Sequence, residues 1–428
     1  MDVDPIANRT LSPAIGRRPA GACVALLGAL LSLSSPLSAQ GVANRGETDG
    51  PSFKLGETDL YPSLRVDTLR VDNAYRTPDN EQAANVVVVS PRVLWLAQRR
   101  QLTLSGSYDG EYARSGESVL EHDDHALSLG VEAAVDKRLS GGASIVYRRD
   151  HYDRGDNFAR NTDIVYREPV VFDELRLIAN GRYGARRARG NIGFGLRAYD
   201  RHYANLEALT SGLDYTLVEP YLRFSVRIAG DTRAFVEGRS GTVNFGTGRR
   251  DRQDLSLLGG VSFAATQRTF GEFLLGVTRS SFDDATRGDD SNLVAEGNLR
   301  YEPRDYSRVS ASLRRVIDNT ADSTVAGGVA AVSTDLRLEW DYDWSERVSQ
   351  SLFAAFENLE RDCPDPSRQS VNGGLELALS VRRWLELGGS VGASRRVGDG
   401  CGTTAQADEA ARLDYDLVSF GLFARARL

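Results

Sequence analysis

Between Val332 and Trp344 the chain follows a strict two-residue alternation, which few folds can accommodate. One set of alternate positions is mainly apolar and includes Leu336, Leu338 and Trp340. Five charged residues occupy the positions between them, namely Asp335, Arg337, Glu339, Asp341 and Asp343. Successive side chains of a β-strand point to opposite faces, whereas a helix would mix the two sets. The segment is therefore predicted to be a strand with one apolar and one charged face.

The same alternation recurs from about Tyr61 to Leu428, in units of roughly twelve residues separated by polar connections. The chain is 41% hydrophobic with a mean hydropathy of −0.35, values that are typical of soluble proteins. A barrel that alternates lipid-facing and lumen-facing residues gives the same average. We therefore predict an all-β fold, a transmembrane antiparallel up-and-down β-barrel of the outer membrane, with about 18 strands and 16 as the alternative count.

The connections between these units alternate in length, as they do in outer-membrane barrels. Short turns, predicted to be periplasmic, fall near 97–100, 229–232, 266–268, 302–305, 345–347 and 382–383. Longer loops, predicted to be external, fall near 72–85, 114–124, 150–169, 283–292, 319–328 and 397–410. A soluble propeller is the competing all-β fold, but its strands should recur about every ten residues. The spacing favours the barrel.

The first 39 residues are predicted to be a signal peptide. Arg17 and Arg18 precede an apolar run from Gly21 to Leu33, and Leu37-Ser38-Ala39 forms a small-residue cleavage site. Cys23 lies at the start of the apolar run, which is the wrong order for a lipoprotein. Residues 40–58 are predicted to be a short periplasmic lead-in, and residues 59–428 the barrel.

Two further patterns concern the membrane and barrel assembly. All four tryptophans, Trp95, Trp340, Trp344 and Trp384, fall beside predicted short turns, as expected of an aromatic girdle at the periplasmic interface. The chain ends on an alternating strand whose last residue is Leu428. This end resembles the terminal signal that the outer-membrane assembly machinery recognises, although Phe or Trp is the usual last residue. The expected partners are therefore the lipid bilayer and that machinery.

The charged face of the strands is predicted to line the lumen. The residues assigned to it are Arg176, Arg182, Arg197, Arg223, Arg227, Arg300, Arg308, Arg314, Glu296, Arg337 and Glu339. Other acidic residues on the same face are Glu237, Asp335, Glu376 and Glu386. An excess of arginine would favour passage of anions, including acidic sugars. The alternative is cross-strand ion pairing that only solvates and stiffens the wall.

The sequence gives little support for other chemistry. His122 and His125 have metal-binding side chains, but their spacing places them on opposite faces of a strand, so no metal site is predicted. No serine belongs to a recognisable catalytic motif, and neither a catalytic residue nor a cofactor is expected. The basic residues are scattered in a chain of net charge −7, which argues against nucleic-acid binding. Cys363 and Cys401, in consecutive predicted outer loops, form a candidate disulfide.

Several short stretches resemble a family of porin-like outer-membrane β-barrel proteins associated with exopolysaccharide gene clusters. The stretches are Leu60-Tyr61-Pro62-Ser63-Leu64, Val71-Asp72-Asn73-Ala74-Tyr75-Arg76, Pro91 with its neighbours, Asp123-Asp124-His125 and Arg148-Arg149-Asp150. The resemblance implies a pore or export channel for a surface polysaccharide, without catalytic residues. We expect a porin-like channel for hydrophilic solutes. The alternatives are a non-conducting structural or adhesive barrel and an outer-membrane barrel enzyme.

Overall fold

The computed structural model describes most of the chain from residue 53 onwards. The described ranges are 53–153, 168–185, 188–210, 212–246, 250–266, 268–284, 288–319, 331–360, 367–399 and 414–427. Cys363 and Cys401 lie outside them, as do residues 1–52, so the predicted disulfide and signal peptide remain predictions. No helix within these ranges is long and apolar enough to cross a membrane.

The described chain is built almost entirely of β-strands. The first nine are β1 (Phe53–Leu55), β2 (Thr58–Val71), β3 (Ala84–Arg99), β4 (Leu102–Ser115), β5 (His122–Ala134), β6 (Leu139–Tyr152), β7 (Val170–Tyr183), β8 (Gly190–Tyr203) and β9 (Tyr215–Ala229). The next five are β10 (Thr232–Phe245), β11 (Arg252–Thr266), β12 (Thr269–Phe282), β13 (Asp290–Arg304) and β14 (Ser307–Ile317). The last five are β15 (Val332–Asp343), β16 (Val348–Glu360), β17 (Ser367–Arg382), β18 (Leu385–Asp399) and β19 (Tyr415–Arg427). One helical turn, α1 (Glu207–Thr210), lies between β8 and β9, and a 3₁₀ turn, Ser118–Leu120, lies between β4 and β5.

Strands β2 to β19 form a closed antiparallel ring of eighteen strands, in which each strand pairs with its neighbour in sequence. The ring closes where β19 pairs with β2, in a register that runs from Ser419 opposite Val71 to Arg427 opposite Ser63. The short strand β1 adds to the start of β2. Closure leaves these eighteen strands without an open edge, the condition under which a sheet can cross a bilayer. The predicted up-and-down barrel and its strand count are confirmed.

The strands are long enough to span a membrane. The eighteen strands of the ring contain between 11 and 16 residues, whereas a tilted strand needs about 9 to 11 to cross the hydrocarbon core. The two ends of the barrel differ. At one, here called the turn end, strands are joined by connections as short as Arg100-Gln101 and Arg383-Trp384; at the other, the loop end, connections include 72–83 and 204–214.

The alternation seen in the sequence becomes two faces of the barrel wall. In β9, Leu222, Phe224 and Ile228 are 60%, 56% and 61% exposed, far more than apolar side chains in a soluble core. Arg223 lies between the first two and is only 20% exposed in its side chain. In β15, Leu338 is exposed in the same way, whereas Arg337 and Glu339 are largely covered. An apolar outer surface around the whole ring is what lipid requires.

Candidate functional site

The inner face of the barrel is identified by ion pairs that join strands which are not neighbours. Arg65 of β2 reaches Glu376 of β17, although β18 and β19 lie between those strands, with an Nη1–Oε2 distance of 3.1 Å. Such a contact can form only across the concave side of the wall. Arg65 also donates to Asp67 on its own strand at 2.7 Å, and its guanidinium lies 3.8 Å from the centre of the Phe423 ring. The buried charges of β2 therefore face the interior.

A second set of such pairs, the Glu237 network, crosses β9 to β13. Its members are Arg223, Glu237, Arg239, Glu272 and Glu296. Glu237, whose side chain is fully buried, accepts from Arg223 Nε at 2.5 Å and from Arg239 Nε at 2.6 Å. Arg223 also reaches Glu272 at 3.0 Å, and Arg239 contacts Glu296. The network thus pairs the predicted residues Arg223 and Glu296 with charges of opposite sign.

A third set, the Glu174 cluster, surrounds one buried carboxylate of β7. Arg176 donates to Glu174 at 2.6 Å and Arg148 of β6 donates at 3.1 Å. Arg201 of β8 contacts the second carboxylate oxygen and also Tyr152. Three guanidinium groups share this carboxylate, so the predicted residue Arg176 belongs to an interlocked cluster.

Most of the other predicted residues also contact partners within the wall. Arg197 donates to Glu219 at 3.0 Å, and Arg182 donates to the hydroxyl of Ser140 at 3.2 Å. Arg300 and Arg308 both donate to Oε1 of Glu302, at 2.8 and 3.2 Å. Arg337 lies 3.6 Å from Glu339. Arg227 lies in β9 opposite Arg233 of β10.

Arg314 lines a cavity inside the barrel. This cavity has a volume of about 150 Å³, and it is bordered by both ends of ion pairs described above. Its charged lining includes Arg197, Glu219, Arg239, Glu296 and Arg314. Guanidinium groups there donate hydrogen bonds and carboxylates accept them, so the cavity can bind a polar group of either kind.

The loop end of the barrel is partly covered by connection 72–83, which folds inward. Asn73 is fully buried, and its side-chain amide donates to the carbonyls of Thr77 and Asp416 at 2.8 and 3.0 Å. Arg76 reaches Asp153, beyond the end of β6, at 2.5 Å. Burial would raise the pKa of Asp153, but Arg76 and His151 hold it below its ordinary value. The loop is therefore fixed across the mouth by a buried ion pair.

The tryptophans lie toward the turn end, where the sequence predicts them. Trp344 and Trp384 are in the connections themselves, and Trp340 packs edge-to-face on Tyr342. Trp340 Nε1 donates to Ser307 at 3.1 Å. Half-exposed aromatic rings with one bonded polar atom suit a membrane interface.

Several members of the inner networks were not expected from the sequence. They are Arg65, Arg148, Arg201 and Arg239, together with Phe423, whose buried ring lies against Arg65. The alternation could have identified Arg65 as an inward-facing residue, because the exposed apolar residues Leu64 and Val66 flank it. Arg239 lies between Gly238 and Ser240, which are not large apolar residues, so the alternation of the surrounding segment is weak.

A closed antiparallel barrel with an apolar outer surface and a charged interior is an outer-membrane β-barrel protein. Residues 53–394 match the family model described as "putative beta-barrel porin 2", and the chain belongs to this family. This confirms the porin-like family expected from the sequence, whereas the association with exopolysaccharide stays a prediction. No curated protein matches the sequence.

Three solved structures are similar to this chain at low sequence identity. OpdL of Pseudomonas aeruginosa is 12% identical with a TM-score of 0.42, covering 87% of this chain and 99% of OpdL. OmpT of Vibrio cholerae is 12% identical with a TM-score of 0.38, covering 88% of this chain and 100% of OmpT. The siderophore receptor PirA of Acinetobacter baumannii is 8% identical with a TM-score of 0.42, covering 88% of this chain and 81% of PirA.

Proposed function

We propose that this barrel is a porin-like channel through which hydrophilic solutes cross the outer membrane. The observation that carries the proposal is the polar track on the inner face. It begins with Glu386 and its partners Arg425 and Arg427 near the turn end, and it continues through Glu376 and Arg65. Charged groups along a pore replace the hydrogen bonds that a solute loses on leaving bulk water.

The pairing of these charges bears on selectivity. An unpaired ring of arginines would favour anions. The Glu237 network, however, sets two arginines against three carboxylates. The Glu174 cluster sets three arginines against Glu174 and Asp150, so the charges of the two sets together balance. We therefore expect a weak preference between anions and cations, not the strong anion preference that the arginine count alone would suggest.

Paired donors and acceptors suit solutes that are rich in hydroxyl groups. The 150 Å³ cavity offers guanidinium donors from Arg197 and Arg239 and carboxylate acceptors from Glu219 and Glu296. A sugar ring presents both donors and acceptors to such a lining. Export of a surface polysaccharide or exopolysaccharide is the finer form of the proposal, and it also draws on the family resemblance noted in the sequence.

A second candidate is a structural or adhesive barrel that does not conduct. It is favoured by the inward fold of loop 72–83 and by the buried apolar cluster beneath it, which includes Val71, Ala74, Val86 and Leu120. An apolar cluster at a pore mouth hinders water and solutes alike. The family assignment agrees with a channel and gives no support to the third alternative, an enzyme.

Osmotic swelling of proteoliposomes separates the two candidates. The refolded barrel is reconstituted and challenged with uncharged sugars of increasing mass, with protein-free liposomes as the control. The channel proposal predicts rapid swelling in small sugars that slows with sugar size. Swelling no faster than that of empty liposomes for every sugar would reject the channel and favour the structural barrel.

A further inference from the structure

A cluster of buried histidines and carboxylates lies inside the barrel near the loop end. Its central members are His122 and Asp124 of β5 and His151 of β6, and their potential ligand atoms all lie within 4.8 Å of one another. The three side chains are between 2% and 4% exposed. His122 and Asp124 are two residues apart on one strand, so they share a face. The neighbouring strand supplies His151 beside them.

We propose that this cluster is a binding site for a divalent transition metal, with Zn²⁺ as the best match. The ligands are Nε2 of His122, a carboxylate oxygen of Asp124 and Nδ1 of His151. Two imidazole nitrogens with one carboxylate oxygen form a three-ligand set that Zn²⁺ accepts, with water at the fourth position. Glu111 of β4 lies beside the set, with its Oε1 2.9 Å from His122 Nε2.

The distances between these atoms bracket those of a tetrahedral site. Asp124 oxygens lie 3.1 Å from His151 Nδ1 and 4.0 Å from His122 Nε2. Ligand atoms at the usual Zn–N and Zn–O lengths of about 2.0–2.1 Å are roughly 3.4 Å apart in a tetrahedron. Bringing the three ligand atoms, all within 4.8 Å of one another, onto one ion therefore requires side-chain rotations and no change of register between β5 and β6.

The surroundings of His151 follow the arrangement found behind metal-bound histidines. Its Nδ1 faces Asp124, and its Nε2 lies 3.4 Å from Asp153. Arg76 in turn fixes Asp153 at 2.5 Å. A carboxylate on the far nitrogen sets the ring orientation and increases the basicity of the nitrogen that binds metal. Asp153 and Arg76 are thus positioning residues, and they connect the site to loop 72–83.

The two imidazole rings of the cluster stack on each other. The ring centres of His122 and His151 are 3.9 Å apart, with planes inclined by 24°. This packing holds both rings beside the carboxylate of Asp124, 3.1 Å from His151 Nδ1 and 4.0 Å from His122 Nε2.

The test measures Zn²⁺ itself on untagged, metal-stripped protein refolded in detergent. Calorimetric titration and metal analysis after dialysis give affinity and stoichiometry, and Co²⁺ added in place of Zn²⁺ reports four-coordination by its visible absorption. We expect one ion per chain at micromolar concentration or below. His122→Gln and His151→Gln should each weaken binding at least tenfold.

His125→Gln is the matched control, because His125 lies on the same strand but bonds to Tyr108 at 3.0 Å on the other face. The Zn²⁺ affinity of the His125→Gln variant should equal that of the unaltered protein. A heat-modifiability shift on gels verifies that each variant is folded. Because there are two ligand variants, the test still works if one of them fails to fold. Failure to bind Zn²⁺ below millimolar concentration, or equal binding by all three variants, would show that the cluster is only an ion-pair network.

Discussion

At the scale of single residues, the position of a side chain in the alternation decides whether it meets lipid or the barrel interior. Phe224 is 56% exposed on the outer surface, whereas its neighbour Arg223 contacts Glu237 and Glu272. The hydrocarbon core offers no hydrogen-bond partners, but the interior offers many. A residue moved to the wrong face therefore loses its solvation, and the cost should depend on the face.

Leu338 and Arg337 provide a direct comparison of the two faces. Leu338 is 47% exposed on the outer surface, so Leu338→Arg should destabilise the barrel by about 2 to 4 kcal/mol if it lies near the midplane. Arg337→Ala, on the inner face beside Glu339, should cost less than about 1 kcal/mol. Urea titration of the barrel refolded into lipid vesicles measures both. Equal losses of stability would overturn the assignment of the faces.

Glu237 is the residue on which the Glu237 network depends. Glu237→Gln removes the charge that Arg223 and Arg239 share, at 2.5 and 2.6 Å, and should lower the free energy of unfolding by about 1 to 3 kcal/mol. The control is Glu219→Gln, since Glu219 is more exposed and pairs with Arg197 at 3.0 Å. Its loss should be smaller in the same urea titration. If the Glu237→Gln variant has the same free energy of unfolding as the unaltered barrel, water must solvate these guanidinium groups.

At the scale of strands, aromatic rings lie over glycines on the neighbouring strand. Trp95 of β3 is paired with Gly106 of β4, and a Cβ built at Gly106 would lie 2.2 Å from the indole. Phe423 covers Gly388 in the same way, at 2.2 Å. Covering a glycine with a cross-strand ring adds packing where the glycine has no side chain of its own. These pairs help to fix the register between strands.

Gly106→Ala tests this role of glycine. The added methyl group must displace the Trp95 ring, which should cost about 1 to 3 kcal/mol and shift the tryptophan emission to longer wavelength. Gly238→Ala in β10 is the control, because nothing lies within 4 Å of a Cβ there. It should leave both the unfolding curve and the emission spectrum almost unchanged. Matching spectra and stabilities for the two variants would argue against the packing of Trp95 on Gly106.

The sequence predicted the strands well because their signal is local. The period of two is visible within segments such as 332–344, and short and long connections alternate along the chain. Contacts across the interior could not be predicted from the sequence, because they depend on the stagger between strands that are far apart in sequence. Arg239 meets Glu296 three strands away, and His151 meets His122 only after β5 and β6 pair. No pattern in one strand specifies such partners.

At the scale of the whole molecule, closure creates an interior, and loop 72–83 covers part of its mouth. Arg76 fixes that loop to Asp153. Arg76→Ala should therefore loosen the loop and increase ion conductance relative to the unaltered barrel. Arg114→Ala is the control, since Arg114 pairs with Asp123 at an exposed position. Conductance that is unchanged by Arg76→Ala would show that the loop does not limit the pathway.

Single-channel recording can show whether the barrel is a channel with balanced charge along its wall. The refolded protein is inserted into a planar bilayer, and the reversal potential is measured across a salt gradient. We expect discrete, steady conductance steps and a reversal potential close to zero, because the arginines and carboxylates of the Glu237 network and the Glu174 cluster together balance. A barrel that inserts but carries no current would contradict the claim, and a strongly anion-selective current would contradict the balance of charge.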